Sequence, residues 1–188
     1  MKAVESTTMA GDGASAATAD DGSGPGDHRH ILEAYSPDEH RPLAGYAALT
    51  AVFGAGFVAA CVSLARRDEG LPERIPAGDI ALMAVATQKL SRQITKDKAT
   101  SFLRAPFARY SGSSGPSEVS EEPRGTGLRL AVGELLTCPF CIGQWVSAGM
   151  VWGYVNRPRA TRMVGGVFTI LSLADFLQLA YAAAQERA

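Results

Sequence analysis

Two of the three cysteines form the sequence Cys-Pro-Phe-Cys at positions 138–141. Proline is favoured at the first position of a helix because its missing N–H would have no partner there. The spacing therefore predicts a helix that starts at Pro139, with Cys138 as its N-cap and Cys141 in its first turn. Both sulfurs would lie near the unpaired N–H groups and the positive dipole end of this helix, which favour the thiolate form.

A cysteine pair at a helix start suits three roles, and the sequence leaves all three open. The pair could exchange electrons as a dithiol, or it could pack as small polarizable side chains. It could also supply half of a tetrahedral zinc site, but zinc would then need further ligands from a partner chain. Whether Cys138 and Cys141 hold a metal is therefore left unknown, and Cys61 is assigned no chemistry.

Long apolar segments place the cysteine pair in a membrane protein. Residues 43–65 carry no charge, and at ~1.5 Å per residue they are long enough to cross ~30 Å of hydrocarbon. Helices over residues 80–94, 139–155 and 163–184 complete the predicted fold. This fold is all-α, an integral membrane bundle with about four transmembrane helices in the lipid bilayer of the cell membrane.

Three polar segments connect or precede these helices. Residues 1–42 are rich in Ala, Gly, Ser and Asp, so they are predicted to be a disordered tail. Asp97 suits a helix N-cap and Pro106 a helix end, which predicts one short amphipathic helix in the membrane interface. Residues 110–126, with their Ser-Gly and Gly-Pro pairs, are predicted to form a flexible loop.

The charges of the chain bear on its orientation and its partners. More Lys and Arg residues fall on the side of the two termini than on the opposite side, which favours both termini being cytosolic. The net charge of -1 shows no electrostatic footprint for nucleic acid. The partners predicted beyond the bilayer are a second copy of the chain or a membrane partner protein.

Asp175 is the one charged residue in the last apolar segment, and an acidic group inside a membrane is by default a functional-site hypothesis. Counting ~1.5 Å per residue puts Lys89 and Arg92, on another helix, at a similar depth. Gln144 enters from the opposite side at a compatible level. We therefore predict an interior polar layer that joins Asp175 to Lys89 or Arg92, with Gln144 as a further member. A structural ion pair is preferred to a proton or ligand site.

Four short motifs follow one another between residues 90 and 145. They are Leu90-Ser91-Arg92, Asp97-x-x-Thr100, Arg104-x-Pro106-Phe107 and Gly133-Glu134-Leu135-Leu136-x-Cys138-x-x-Cys141-x-Gly143-x-Trp145. In this order and spacing they resemble a family of small bacterial membrane proteins catalogued as domain of unknown function 1360. The resemblance implies a family core over residues 78–184, to which the tail 1–42 and the helix 43–65 are additions. It implies no reaction, because the family has no assigned activity.

Two functional hypotheses follow. The first is a membrane protein whose cytosol-side thiols are redox-active or bind a metal. The alternative is a non-enzymatic membrane assembly or adaptor subunit with structural cysteines. No catalytic residue is assigned, because the sequence has no nucleophile–base–acid set, Gly-rich phosphate loop or H-E-x-x-H motif. A small transporter is less favoured, since the helices are few.

Glu134 is expected to pair with Arg92 or Arg104.

Overall fold

The computed structural model describes Tyr35, residues 41–66 and residues 71–187. The prediction of a disordered tail over residues 1–42 falls outside the described residues, apart from Tyr35 and positions 41 and 42. The described elements, in chain order, are helix α1 Leu43–Ala65, helix α2 Ala77–Lys96, a 3-10 turn Lys98–Thr100, helix α3 Ser101–Arg104, strands β1 Ala108–Gly115 and β2 Glu118–Pro123, and helices α4 Gly127–Thr137, α5 Pro139–Asn156 and α6 Pro158–Gln185.

Two of these helices, α1 and α6, are long and apolar enough to cross a membrane. Helices α4 and α5 meet at a bend of 80° and give a third candidate only when they are taken together as one broken span. Helix α2 is not a candidate by this measure, and it carries Asp79, Lys89, Arg92 and Lys96 along its length. A membrane protein is therefore supported, while the prediction of four crossings is not confirmed.

Helix α2 lies at the centre of the helical part and packs against both α5 and α6. Its buried residues Met83 and Ala86 form a core with Met150 and Tyr154 of α5. Thr169 Oγ1 of α6 donates a hydrogen bond to the backbone carbonyl of Leu82, at 3.1 Å. Burial of this apolar face, more than helix propensity, holds the three helices together.

A polar contact at one end of this bundle fixes the directions of the helices. Asp79 accepts hydrogen bonds from Arg162 at 2.8 and 2.6 Å and from the Tyr154 hydroxyl at 2.6 Å. Asp79 and Arg162 lie near the starts of α2 and α6, and Leu82 and Thr169 meet further along, so these two helices run parallel; α5, with Tyr154 near its end, runs against them. Pro76 is the N-cap of α2, and the Asp79 carboxylate binds the neighbouring helices.

The chain is not all-α, because β1 and β2 form a two-stranded antiparallel sheet where a flexible loop was predicted. Arg109 lies opposite Glu122 in the register, and Ser113 lies opposite Val119. The residues between the strands include Ser117, which has a positive φ of 62°. Isolated hairpins of such polar sequence are marginal in water, so contacts outside the hairpin must hold it.

Those contacts come from the segment that follows α2. The backbone N–H of Lys98 donates to the carbonyl of Ser117, and Asp97 forms an isolated bridge with Glu118. The predicted interfacial helix is replaced here by a 3-10 turn and the single helical turn of α3. Asp97 does cap this segment, accepting from Ala99 N at 2.7 Å, but Arg104 points inward and is fully buried. The segment thus serves as the base of the hairpin.

Candidate functional site

The two cysteines lie at the bend between α4 and α5. Cys138 is the N-cap of α5 and Pro139 begins the helix, as the sequence predicts. Cys138 Sγ accepts a hydrogen bond from the backbone N–H of Cys141 at 3.3 Å, and the two Sγ atoms are in contact. Cys141 is exposed and Cys138 is half-buried, so the pair lies at the surface of the described part of the chain.

A cavity of about 640 Å³ lies beside the pair, between α1, α4 and α5. We call it the thiol cavity. Its lining combines apolar and polar side chains, and it includes Arg41, Tyr46, Leu49, Phe53, Glu134, Leu135, Cys138, Cys141, Gln144 and Trp145. Such a mixture of apolar walls with a few polar groups is typical of small-molecule sites in proteins.

Helix α1 forms one wall of the thiol cavity and is held against α4 and α5 by three contacts. The Tyr46 hydroxyl donates to the carboxylate of Glu134. Phe53 meets Trp145 edge to face, with ring centroids 5.1 Å apart. A Cβ at Gly45 would lie 2.7 Å from Ala131 Cβ, so the glycine permits the close approach of the two helices. These contacts lie in the N-terminal half of α1.

The motif residues outside the cysteine pair mainly build the support for α4 and the hairpin. Arg104 is their centre, because its side chain is 0% exposed and forms an ion pair with Glu121, which is 7% exposed. The Arg104 guanidinium also donates to the carbonyls of Ile94 at 2.6 Å and Asp97 at 2.8 Å, and to Thr100 Oγ1 at 2.7 Å. A buried charge is tolerated only when it is paired and hydrogen-bonded in this way.

The contact between α4 and the base of the hairpin involves a glycine of the motif and backbone atoms of residues 106 and 107. A Cβ at Gly133 would lie 2.6 Å from the carbonyl oxygen of Phe107 and 3.2 Å from Pro123 Cβ. The carbonyl of Pro106 accepts from Arg129 at 2.6 Å. Gly143 faces Ser91 with more room, since its Cβ would lie 3.6 Å from Ser91 Oγ, an ordinary van der Waals distance.

The expected pairing of Glu134 with Arg92 or Arg104 is wrong. Arg92 donates to both carboxylate oxygens of Glu118, at 2.8 and 2.6 Å from its Nη2. Arg104 binds Glu121, and Glu134 accepts from Tyr46. The two arginines are therefore neutralised by acids of the hairpin that the sequence analysis had placed in a flexible loop.

The residues assigned to an interior polar layer separate into three places. Lys89 Nζ and Asp175 form an ion pair between α2 and α6, with side chains 20% and 49% exposed. Ser172, close by on α6, donates to Gln88 at 3.4 Å. Gln144 lines the thiol cavity instead, and Arg92 lies with the hairpin. The arrangement suits a contact that fixes the register of two parallel helices.

A double-mutant cycle tests this ion pair. We expect Lys89→Met and Asp175→Asn to be coupled by about 1 kcal/mol, because each change leaves the other group unpaired in an apolar setting. The measurement is the free energy of unfolding in detergent micelles by denaturant titration. Arg92→Met is the matched control, and it should be additive with Asp175→Asn. Additive effects for Lys89 and Asp175 would show that the pair contributes nothing.

No group of three or more His, Cys, Asp or Glu side chains able to hold a metal ion is found in the residues that the structure describes. The cysteine pair alone offers two of the four ligands that zinc takes in structural sites. Binding of zinc through ligands from a partner chain therefore stays a prediction.

Tyr46 and Phe53 were not predicted as site residues, because the apolar run of α1 was interpreted as a transmembrane helix outside the family core. A signal was present: a tyrosine hydroxyl inside an apolar helix needs a hydrogen-bond partner when it is buried. Glu118 and Glu121 were missed for a different reason. Their partners lie 26 and 17 residues away in sequence, and no local pattern announces such pairs.

Comparison with known proteins adds three findings. The sequence model of a family described as "Protein of unknown function (DUF1360)" matches residues 82–181. A Bacillus subtilis (strain 168) protein named "Sporulation protein YjcA" is 28% identical over 102 residues, which cover 53% of this chain and 86% of that protein. No solved structure matches the chain. The family match begins within α2, so α1 lies outside it.

Proposed function

The chain belongs to the DUF1360 family of proteins of unknown function, as its motif residues indicate, and we propose that it is a membrane-embedded dithiol protein. In this proposal Cys138 and Cys141 exchange electrons with a partner disulfide. The observation that carries it is the contact between the two sulfurs at the start of α5, where Cys141 is exposed and Cys138 is half-buried. A structural packing role requires neither this proximity nor the access.

The proposed reaction is thiol–disulfide exchange. Cys138 is the attacking sulfur, since its Sγ accepts a hydrogen bond from the backbone N–H of Cys141 at the start of α5. Its thiolate attacks one sulfur of the partner disulfide, forms a mixed disulfide and releases the other partner sulfur as a thiolate. Cys141 then loses its proton, attacks Cys138 Sγ and releases the second partner thiolate. The protein becomes a disulfide and the partner a dithiol.

A thiol count tests this proposal. The Cys61→Ala protein, which keeps only the pair, is reduced, desalted in detergent and exposed to oxidised glutathione. We expect both remaining thiols to be lost and both to return with dithiothreitol, because the sulfurs lie in reach of each other. Cys141→Ser is the matched control and should stop at a mixed disulfide with glutathione on Cys138. Thiols that stay free in the Cys61→Ala protein would contradict the proposal and favour structural cysteines.

The proposed topology has four crossings, with both termini and the hairpin on the cytosolic side. Its support is the direction of the helices. The start of α1 contacts α4, on the side where the chain enters α5, and α2 and α6 run parallel. If α5 leaves this side and α6 returns to it, then α2 must also cross between them. The charges of α2 would be shielded from lipid by α5 and α6, against which it packs.

Reporter fusions test the topology. We expect cytosolic readings from a reporter fused before Leu43, one inserted at Gly115 in the hairpin, and one fused after Gln185. A reporter in the segment between α1 and α2 should read as external, because α1 would separate it from the first. Opposite readings at the two ends would require an odd number of crossings and would refute the four-crossing topology.

A second candidate function is a membrane adaptor, and one observation favours it. Most motif residues hold the hairpin and the base formed by residues 97–107, and this module exposes Phe102 and Tyr110. An adaptor would use this surface for a partner protein, and its cysteines would only pack. The thiol count above separates the two candidates.

A further inference from the structure

The thiol cavity restricts the chemistry of what it would hold. One side is apolar, formed by Leu49 and Phe53 of α1 and by Trp145 of α5. Helix α1 is itself long and apolar enough to lie in a membrane. The volume of about 640 Å³ falls within the ~300–1,000 Å³ of small-molecule sites. An occupant that replaces water at these walls gains from burial of apolar surface.

The aromatic and amide groups of the cavity suit a flat ligand with carbonyl oxygens. Phe53 and Trp145 meet at an interplanar angle of 68°, which offers a planar ring one aromatic face and one aromatic edge. Gln144, the neighbour of Trp145, lines the same cavity, and its amide N–H₂ group is a hydrogen-bond donor for a carbonyl.

The cysteine pair adds the electron chemistry. Closing a dithiol to a disulfide releases two electrons and two protons, so an occupant that oxidises the pair must accept both. Quinones do this at their two carbonyl oxygens, and they are planar and apolar. We propose that the thiol cavity binds a lipophilic quinone, which is the oxidant of Cys138 and Cys141. This proposal rests on the dithiol function proposed above and names the acceptor of its electrons.

The Cys138 thiolate adds to a ring carbon of the quinone, which becomes an enolate with the sulfur bound to a saturated carbon. Cys141 loses its proton and attacks Cys138 Sγ, forming the S–S bond and breaking the bond from sulfur to the ring. The electron pair of that bond stays with the ring, and two protons from the original dithiol complete the two hydroxyl groups. The products are one disulfide and one quinol.

The wall formed by α1 distinguishes this site from one that the family-matched region could form alone. Helix α1 lies outside the region that matches the family, which begins at residue 82. Phe53 therefore adds to the cavity a ring that the family-matched region does not supply, and Tyr46 ties α1 to Glu134. We expect Phe53 to govern affinity for the quinone.

Oxidation of the reduced Cys61→Ala protein in detergent tests the proposal, with decylubiquinone or menadione as oxidant and oxidised glutathione as reference. Free thiols and quinol are both counted. We expect one quinol for each disulfide formed. Phe53→Ala should raise the half-saturating quinone concentration by about tenfold, the loss of ~1.4 kcal/mol of stacking and burial, a larger change than in its reaction with glutathione. Phe176→Ala, an exposed phenylalanine on α6, is the matched control.

The outcomes are distinct. Oxidation by glutathione but not by either quinone overturns the quinone proposal and leaves the dithiol function standing. Failure with every oxidant overturns both. Equal responses of Phe53→Ala and Phe176→Ala to quinone would place the reaction outside the cavity and would also overturn the proposal. A quinol yield without loss of thiols would mean that the quinone is reduced elsewhere, with the same consequence.

Discussion

Replacing Arg104 by methionine is expected to lower the free energy of unfolding by about 3–5 kcal/mol, the cost of leaving a buried charge without its partner. The side chains of Arg104 and Glu121 are 0% and 7% exposed. Methionine keeps much of the volume of arginine but removes the donors that the guanidinium supplies to the Glu121 carboxylate and to the carbonyls of Ile94 and Asp97. Denaturant titration in detergent micelles measures the loss.

Two comparisons make this prediction specific. The double variant Arg104→Met, Glu121→Met should recover part of the loss, because the unpaired carboxylate is removed with its partner. Arg109→Ala removes one side of an exposed pair on the same hairpin, with side chains 75% and 62% exposed, and should cost no more than ~0.5 kcal/mol. Equal losses for Arg104→Met and Arg109→Ala would show that burial of the pair does not matter.

A second measurement keeps the test informative if the Arg104 variant unfolds only locally. Cleavage by a protease specific for glutamate, at Glu118, Glu121 and Glu122, reports on opening of the hairpin. We expect faster cleavage in Arg104→Met at denaturant concentrations where the helices stay folded, because the hairpin depends on this anchor and the helical core does not. Unchanged cleavage would mean that the base of the hairpin is held by other contacts.

The parts of the fold that the sequence predicted depend on local signals. An uncharged run predicts a helix over residues 43–65, and the structure has α1 at Leu43–Ala65. Proline after Cys138 predicts a helix start, and α5 begins there. In both cases the residues that decide the structure are neighbours in the chain, so composition and spacing suffice.

The hairpin and its ion pairs depend instead on partners that are distant in sequence. Ser, Gly and Pro between residues 110 and 126 indicate a loop when read alone. Arg92 and Arg104 hold this segment as a hairpin, because each forms an ion pair with one glutamate of β2. A buried or clustered arginine needs an acidic partner, but a single sequence does not show which Asp or Glu residue that partner is.

Only part of the candidate site was predicted from the sequence, because one of its walls comes from a helix that is distant in the chain. Cys138, Cys141, Glu134 and Trp145 were recognised by spacing and by resemblance to the family, and the structure places all four on one cavity. The opposite wall comes from α1, beyond the family motif, so no motif pointed to Phe53. The site therefore combines a family element with a helix that lies outside the matched region.

Gly133→Ala tests the close contact between α4 and the hairpin base. The new Cβ would lie 2.6 Å from the carbonyl oxygen of Phe107 and 3.2 Å from Pro123 Cβ. Backbone and a proline ring do not move aside easily. We therefore expect a loss of about 2 kcal/mol in the free energy of unfolding, even though alanine favours a helix.

The control is Gly166→Ala in α6, where an added Cβ meets nothing within 4 Å. Alanine there should leave stability unchanged or raise it by up to ~1 kcal/mol, since glycine is the weaker helix former. The same denaturant titration compares both variants. A displaced α4 would also move Glu134 and Cys138, so Gly133→Ala should slow disulfide formation with oxidised glutathione, while Gly166→Ala should not. Equal stability and equal thiol reactivity in the two variants would show that the close approach at Gly133 supports neither the hairpin base nor the cysteine pair.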